Sequence, residues 1–422
     1  MPGLRLIIWH GYLLSGTGSN VYTRSLARAW SRMGHDVTVL CQDPDPSAYD
    51  LGGARVLRPD VGRTLPVFVL DRYADMESRL LSDLTQQERA RFVDANATAV
   101  RELGPADLLL TNHLLLGGPV GAQSGIPFVV KAHGSELEYS MRGHAELCRW
   151  ARQTVGEARA ILAGTEHTRT VITEVLGPGP YMDRLRIVPP GVDTELFRPY
   201  PRDEALSGLL REASADPPNP STQHDERRPD EGNASRLDAF LRGERATVVY
   251  VGKLSPEKGV HLLIDALRQV DARAVVVGFG PARGDLERQA QGLDVLFTGP
   301  LEHRHLRYLW ALADVVVAPS VFPEAFGMVV TEAAACGAPP LVARHSGLQE
   351  IAEAFAASYP QQRRGLVSFR GGDTQDLVRK LHGLLRLDSD ERTRLGRVAR
   401  SVVVERWGWN AVAQSVLEAS KS

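Results

Sequence analysis

Cysteine, long apolar runs and net charge are all scarce in this sequence of 422 residues. Its three cysteines, Cys41, Cys148 and Cys336, lie far apart without metal-ligand spacing, which favours reduced thiols in a cytoplasmic compartment. No apolar run approaches the ~20 residues that span a bilayer. Residues 1–5 lead straight into a predicted strand and lack a signal-peptide pattern. We therefore expect a soluble, cytoplasmic protein.

The balance of charge also excludes one class of partner. A formal net charge of −2 gives no electrostatic reason to expect binding to nucleic acid. With 43% hydrophobic and 24% charged residues, the chain can bury a large core. Its length predicts about two or three domains.

Short apolar strands alternate with amphipathic helices through both halves of the chain, which predicts an α/β fold with parallel sheets. In the first half, Ser19 can cap a helix after the first strand. In the second half, Ser255 followed by Pro256 is a strong start signal for a helix through Val270. The predicted strands are residues 4–9, 36–41, 107–111, 127–131, 159–163 and 186–188, then 246–251, 273–277, 293–298, 314–318 and 340–343.

The two halves are joined by a segment of different composition. Residues 214–235 contain no Val, Ile, Leu, Met, Cys or aromatic residue and are rich in Pro, Asp, Glu and Asn. Such a stretch cannot bury enough apolar area to order itself, so we predict a largely disordered insertion over residues 202–244. The hinge between domains is expected just before it, around residues 188–193. Near the C-terminus, Trp407 and Trp409 indicate a tail that packs, most simply against the first domain.

The stretch from Glu324 to Glu332 is the most informative of the chain. It follows a buried-type strand and leads into a helix of small residues that ends near Gly337. The start of that helix offers free backbone N–H groups to an anion at Gly327 and Met328. The two carboxylates suit hydroxyl-rich groups on either side of the anion, as in a phosphate-linked sugar. Alone, the pattern is equally compatible with one solvated and one helix-facing acid.

Lys253 and Lys258 come just after a strand and at a helix start. In open parallel sheets, ligands bind at the carboxyl ends of the strands. Two ammonium groups there can neutralise a diphosphate without a metal ion, which matters when negative charge builds on a nucleoside diphosphate that departs. The alternative is a pair of exposed surface lysines.

His133 follows a strand of the first half, where a neutral imidazole can exchange a hydrogen bond with a sugar hydroxyl. The alternative is a histidine that closes a turn. Gly18 belongs to a glycine-containing loop, residues 15–20, that precedes the first helix. This loop also suggests an alternative hypothesis, a dinucleotide-binding fold in which the carboxylate of Asp43 binds the ribose. Residues 10–15 between strand and glycines, and Val21 at the third glycine position, argue against this hypothesis.

Two other features are less informative. Arg24, Arg28 and Arg32 form a basic stripe that can contact anionic lipid, but a solvated helix face is the simpler reading, so membrane contact is not indicated. Residues 60–75 and 135–143 are candidate acceptor-binding loops, and their sequences do not identify the acceptor.

Together these residues resemble the GT-B glycosyltransferases, specifically the retaining family four, or glycosyl transferases group 1. The most specific part is Glu324 and Glu332, eight residues apart, followed by the small-residue helix. Next come the pattern GKLxxxKG that begins at Gly252 and the pattern PGVDxxxF that begins at Pro190. The resemblance covers nearly the whole chain apart from the insertion.

The resemblance implies two Rossmann-like domains that face each other across a cleft. Residues 1–188 would form an acceptor-binding domain, completed by a crossover helix over 405–422. Residues 189–404 would bind a nucleotide sugar. Glu324 would then hold the donor sugar's hydroxyls and Glu332 the ribose hydroxyls, while Lys253 and Lys258 neutralise the diphosphate.

By the same resemblance, the backbone at Phe326, Gly327 and Met328 would meet the diphosphate and sugar, His133 would be the cleft histidine, and Gly18 would belong to the N-terminal glycine loop. The family generally needs no metal ion, so we expect no cofactor. The implied reaction moves a hexosyl-type unit from a nucleoside-diphosphate sugar to a hydroxyl acceptor with retention. Two alternatives stay open: a GT-B sugar-nucleotide epimerase, and a catalytically inactive sugar-nucleotide-binding protein.

Overall fold

The computed structural model describes residues 3–14, 18–68 and 76–421, and the chain divides into two compact units. Unit 1 comprises Met1–Gly191 together with Trp409–Ser422, and unit 2 comprises Val192–Gly408. The boundaries predicted from the sequence lay at 188/189 and 404/405. None of the helices in the described ranges is both long enough and apolar enough to cross a membrane.

The strands are short and mostly buried. They are β1 (Arg5–Trp9), β2 (Asp36–Leu40), β3 (Arg55–Leu57), β4 (Thr64–Val67), β5 (Glu77–Leu80), β6 (Leu108–Asn112), β7 (Phe128–Lys131), β8 (Ala160–Ala163), β9 (Leu185–Ile187), β10 (Thr247–Val251), β11 (Arg273–Val277), β12 (Val295–Phe297), β13 (Val315–Ala318), β14 (Pro340–Ala343) and β15 (Ser368–Phe369).

The α-helices lie between these strands and after the last of them. They are α1 (Gly18–Arg32), α2 (Gln86–Glu102), α3 (Leu114–Ser124), α4 (Ala145–Val155), α5 (Glu166–Leu176), α6 (Arg202–Ser214), α7 (Asn233–Leu241), α8 (Val260–Leu267), α9 (Arg283–Gln289), α10 (His303–Leu309), α11 (Met328–Ala335), α12 (Ser346–Ser358), α13 (Thr374–Leu385), α14 (Ser389–Trp407) and α15 (Trp409–Ala419).

Both units contain a parallel sheet with the same winding. The sheet of unit 1 has the strand order β3-β2-β1-β6-β7-β8-β9, and that of unit 2 has the order β12-β11-β10-β13-β14-β15. All residues of β11 are buried, as expected for a strand covered on both faces by helices. The winding direction reverses between β1 and β6 and between β10 and β13, the type of position where Rossmann-like folds bind ligands. The predicted fold class of two Rossmann-like domains is confirmed.

Helix α15 closes the core of unit 1. The ring of Trp409 meets that of Tyr22 edge-on, with centroids 5.4 Å apart. Nε1 of Trp30 donates a hydrogen bond to the carbonyl of Ala413 at 3.1 Å. The last helix of the chain therefore packs on α1, near the beginning of the chain, whereas α14 belongs to unit 2.

The prediction of a disordered insertion over residues 202–244 is wrong. Helices α6 and α7 occupy both ends of this segment and bury Leu209 and Leu237. The stretch between them is held by polar contacts instead of apolar ones. Asn219 is 2% exposed, and its Nδ2 donates to the carbonyls of Asp225 and Pro229, both at 3.0 Å. Hydrogen bonds thus supply the order that composition alone did not indicate.

Candidate active site

In unit 2, the loops after β10 and β13 touch at the carboxyl edge of the sheet. Residues Pro256–Lys258 form one turn of 3₁₀-helix, and Gly259 then separates this turn from α8. The predicted single helix from Ser255 is therefore broken. Gly259 has φ +67°, and a Cβ there would lie 2.0 Å from the carbonyl oxygen of Pro319. Only glycine permits this approach, which places Lys258 beside the loop that leads to Glu324.

Lys258 and Glu324 form an ion pair. Nζ of Lys258 lies 2.5 Å from Oε1 of Glu324, with 35% and 25% of the two side chains exposed. Oγ of Ser320 donates to the same oxygen at 2.8 Å. Both donors bind Oε1, so Oε2 can accept a hydrogen bond from a ligand hydroxyl. The sequence analysis assigned Lys258 to the diphosphate and Glu324 to the sugar of one donor site, without predicting this ion pair or singling out Ser320.

The backbone of Glu324 is fixed by the loop after β14. Its N–H donates to Oγ of Ser346 at 2.8 Å, and its carbonyl accepts from the N–H of Gly347 at 2.9 Å. Ser346 adopts φ 50°, which is uncommon for a residue other than glycine. His345 links this loop to the loop after β13, because its Nε2 lies 2.6 Å from the carbonyl oxygen of Ser320. Sequence reasoning missed these residues, although each follows a predicted strand.

Helix α11 begins at the residues predicted to meet a diphosphate. Gly327 precedes it with φ 131°, and a Cβ there would lie 2.8 Å from Cδ2 of Leu348. No side chain in the described structure caps this helix start. Phe326 is buried, and its ring meets that of Trp407 edge-on at 5.6 Å, so the backbone and not this side chain can face a ligand. The first N–H groups of the helix, including that of Met328, lack intrahelical partners.

Glu332 lies about one turn inside α11 and is only 5% exposed. Burial raises the pKa of its carboxyl group to about 8. Nε2 of His303, the first residue of α10, lies 3.7 Å from Oε1 of Glu332. The predicted ribose acid thus has an imidazole neighbour that sequence reasoning did not identify.

Lys253 lies in the loop after β10 and is exposed. Its carbonyl oxygen accepts a hydrogen bond from the hydroxyl of Tyr250 at 2.9 Å. Among the described residues, its ammonium group has no ion-pair partner. Burial, and then the charge of Glu324, raise the pKa of Tyr250. Lys253 is therefore placed on the same loop as Lys258, with its ammonium group outside the Lys258–Glu324 ion pair.

In unit 1, His133 occupies the corresponding edge of the sheet, just beyond β7. The backbone N–H of His133 donates to Oε1 of the buried Glu136 at 3.1 Å, and the ring Nε2 of His133 lies 2.8 Å from Oδ1 of Asn112. Nδ2 of Asn112 contacts Oγ1 of Thr23 at 3.1 Å and the carbonyl of Trp9 at 3.4 Å. Asn112 is the last residue of β6, next to the point where the winding reverses, and the sequence analysis did not single it out.

Two further histidines lie close to His133. The ring of His113 is 4.7 Å from that of His133 and 6.4 Å from that of His10. Burial, and then the neighbouring His113, lower the pKa of His10 to about 3. Burial first, and then His113, Lys131 and His10, lower the pKa of His133 well below its usual range. His133 is thus a neutral imidazole at physiological pH.

Gly18 is the first described residue of α1 and is exposed, while residues 15–17 of the predicted glycine loop lie outside the described residues. Part of the candidate acceptor loop, residues 69–75, also lies outside them. Oδ2 of Asp43 accepts from the N–H of Leu14 at 2.8 Å, and Oδ1 accepts from the N–H of Asp45 at 3.0 Å. Asp43 therefore stabilises the loops around it, and its two carboxylate oxygens already accept backbone hydrogen bonds. This argues against the alternative hypothesis in which Asp43 binds the ribose of a dinucleotide.

The two Rossmann-like units and the residues at the edge of the second sheet define a GT-B glycosyltransferase. Comparison with known families agrees: residues 16–196 match Glycosyltransferase Family 4, and residues 234–402 match Glycosyl transferases group 1. The chain belongs to this family, as the sequence patterns predicted. Residues 197–233 fall between the two matched segments.

Similar proteins include the D-inositol 3-phosphate glycosyltransferase of Xylanimonas cellulosilytica, which is 27% identical over 95% of this chain and 90% of that protein. The sulfoquinovosyl transferase SQD2 of Arabidopsis thaliana is 30% identical over 56% of this chain, but the match spans only 39% of that protein. Among solved structures, that of Anabaena Alr3699/HepE in complex with UDP has a TM-score of 0.69 at 17% identity and covers 99% of this chain and 100% of that one.

Proposed function

We propose that this glycosyltransferase moves a hexosyl-type unit from a nucleoside-diphosphate sugar to a hydroxyl acceptor with retention of the anomeric configuration. The observation that carries the proposal is the Lys258–Glu324 ion pair beside the uncapped start of α11, where the winding of the sheet reverses. This arrangement places a cation, a carboxylate and free N–H groups together. The UDP in the similar Anabaena structure supports a nucleoside diphosphate as the leaving group.

The parts of the donor have separate partners in this proposal. The diphosphate lies at the N–H groups of Gly327 and Met328, where the helix dipole and the ammonium groups of Lys253 and Lys258 neutralise its charge. Oε2 of Glu324 accepts hydrogen bonds from sugar hydroxyls, and Glu332 accepts from the ribose. The contact with Lys258 keeps the carboxylate of Glu324 oriented before the donor arrives.

The reaction occurs on one face of the sugar. The bond between the anomeric carbon and the diphosphate oxygen breaks, and its electron pair stays on the diphosphate. The acceptor oxygen bonds to the same face of the anomeric carbon, and its proton passes to the departing diphosphate. Positive charge develops on the sugar and negative charge on the leaving group, so Lys253, Lys258 and the helix start stabilise the transition state more than the ground state.

His133 and the loops of unit 1 serve the acceptor in this account. No metal ion is required, because two ammonium groups and a helix start take the role that a divalent cation has elsewhere. The thiols Cys41, Cys148 and Cys336 form no disulfides with one another, which fits the cytoplasmic location proposed here.

Substitution of Glu324 and Lys258 tests the proposal. Glu324→Ala is expected to lower turnover on the order of a hundredfold, because the sugar loses its positioning, and to leave nucleotide affinity nearly unchanged. Lys258→Ala should lower both the turnover and the nucleotide affinity. Donor-dependent release of nucleoside diphosphate measures turnover, and calorimetric titration measures affinity. Lys380→Ala, on α13 of the same unit, is the matched control. Wild-type rates in both site variants would refute the assigned roles.

A further inference from the structure

The segment between the two family matches, residues 197–233, packs against the end of β12 and against α10. The N–H of Asp230 donates to the carbonyl of Thr298 at 2.9 Å. At the last residue of the segment, Nδ2 of Asn233 donates to the same carbonyl at 2.8 Å, and just beyond the segment Arg236 donates to the carbonyl of Phe297 at 2.7 Å. The backbone that leaves β12 is therefore held from one side.

Asp230 also reaches the loop after β11. Its carboxylate forms a bidentate pair with Arg283, at 2.8 Å and 2.6 Å, and the two side chains are 11% and 21% exposed. Arg283 is the first residue of α9. Gly299 lies against the same carboxylate, because a Cβ on Gly299 would be 2.8 Å from Oδ1 of Asp230. One aspartate thus joins the loops that follow two neighbouring strands.

A second group of contacts holds α10. Oδ1 of Asp216 lies 3.1 Å from Nε2 of His305 and also contacts Arg304. Glu212, near the end of α6, contacts Arg304 and Arg307, both at 3.3 Å. Glu212 and Asp216, both within the segment, therefore hold the helix whose first residue is His303.

His303 connects this support to the donor site. Its Nε2 lies 3.7 Å from Oε1 of Glu332, the residue proposed to hold the ribose. The proposed diphosphate site is at Gly327, about one helical turn before Glu332. In a nucleotide the order is diphosphate, ribose, base, so the base lies beyond Glu332, on the side of α10 and the loop of residues 298–302.

We propose that residues 197–233 are a nucleoside-recognition element: they fix the loop of residues 298–302 and His303 in the position that contacts the base of the donor. Asp230 is the central positioning residue of this element. The inference rests on the proposed function, since it assumes a nucleotide at Glu332. It adds that this segment decides which nucleoside the site accepts.

The test separates the nucleoside end of the donor from its diphosphate end. Calorimetric titrations of the full chain would use UDP, GDP, ADP, dTDP and inorganic pyrophosphate, which carries no nucleoside. Asp230→Asn, Arg283→Gln and the double variant are expected to lower the affinity for the preferred nucleoside diphosphate about tenfold. The difference in affinity between nucleoside diphosphates with different bases should become smaller. Pyrophosphate should bind all variants as it binds the wild type. The double variant should lose less affinity than the sum of the two single losses, because each single variant already removes the Asp230–Arg283 interaction.

Arg363→Gln is the matched control, since Arg363 forms a partly exposed ion pair with Glu391 at 2.8 Å elsewhere in unit 2. It should lower the melting temperature about as much and leave the preference between bases intact. Equal losses of pyrophosphate and nucleotide binding, or an unchanged preference in the Asp230 and Arg283 variants, would overturn the inference and leave the proposed function standing. If the wild type bound neither pyrophosphate nor any nucleoside diphosphate, the proposed function itself would fail.

Discussion

At the scale of single residues, the amide of Asn112 determines which nitrogen of His133 carries the proton. Thr23 donates its own hydroxyl hydrogen to the carbonyl of Ser19 at 2.9 Å, and the other neighbour of the Asn112 amide group is the carbonyl of Trp9. Both neighbours can therefore only accept, so Nδ2 of Asn112 faces them and Oδ1 faces His133. Nε2 of His133 must then donate, which leaves the lone pair of Nδ1 to accept from a hydroxyl.

Changing Asn112 should change this tautomer. In protein labelled with ¹⁵N at histidine, an unprotonated Nδ1 of His133 resonates far downfield of its protonated Nε2, and a His133→Gln spectrum identifies the signals. Asn112→Leu should give a mixture of tautomers and a lower turnover. Asn112→Asp keeps an acceptor but adds a charge, so the pKa of His133 should rise by about 1–3 units. Turnover of that variant should fall as pH falls through the raised pKa, because an imidazolium cannot accept a hydrogen bond.

Asn96 provides the control for these variants. It is also fully buried in unit 1, where its Oδ1 accepts from Nε1 of Trp9 at 2.9 Å. Asn96→Asp should lower stability without moving the signals of His133. A protonated Nδ1 in the wild type would show that the assigned tautomer is wrong.

Stability should depend on pH through Glu332. The folded protein holds the proton of this buried carboxyl up to about pH 8, whereas the usual pKa is 4.5. Between these values the unfolded chain releases its proton first, so stability falls as pH rises, by at most ~1.4 kcal/mol per pH unit. Glu332→Gln removes this titration. Its melting temperature relative to the wild type should therefore climb through this range and level off above it. The exposed Glu405→Gln is the control; parallel curves for Glu332→Gln would contradict the assignment.

The sequence predicted some residues of the site and missed others for a physical reason. Glu324 and Lys258 were predicted because each follows a strand and carries a charge suited to a phosphate-linked sugar. His345 contacts Ser320, and Asn112 contacts His133, between segments that are distant in the chain. Such partners depend on strand order, which the residue pattern does not contain.

At the scale of elements, strands were predicted more reliably than their connections. The predicted strands 273–277 and 340–343 coincide with β11 and β14, because buried apolar runs are plain in the sequence. The two-residue strand β15 and the small β4–β5 sheet were missed, since such short runs carry no periodicity. The segment over 202–244 was mispredicted because the stretch between its two helices is ordered by hydrogen bonds, and composition measures only apolar burial.

The break between the 3₁₀ turn and α8 gives a prediction at this scale. Gly259→Ala adds a Cβ against the carbonyl of Pro319 and forces a non-glycine residue into φ +67°. We expect a loss of about 1–3 kcal/mol in the free energy of unfolding and weaker nucleotide binding, because Lys258 is displaced. Gly372→Ala is the matched control: its φ is +76° and nothing lies within 4 Å of the added Cβ. Equal losses in the two variants, with unchanged nucleotide binding, would show that the close approach is unimportant.

At the scale of the whole molecule, two units with the same winding order carry different chemistry at the same edge. In unit 1 that edge holds neutral histidines and buried amides. In unit 2 it holds lysines, carboxylates and an uncapped helix start. The sequence predicted this difference between the units, because the residues that follow each strand can be identified once the strands have been located. The choice of acceptor could not be predicted, since it depends on loops without a residue code.

The most direct test of the account is a crystal structure of the protein with a nucleoside diphosphate bound. We predict that the phosphates contact the N–H groups of Gly327 and Met328 and the ammonium group of Lys258, with the ribose hydroxyls on Glu332. A nucleotide bound at any other place, with the Lys258–Glu324 pair undisturbed, would contradict the central claim.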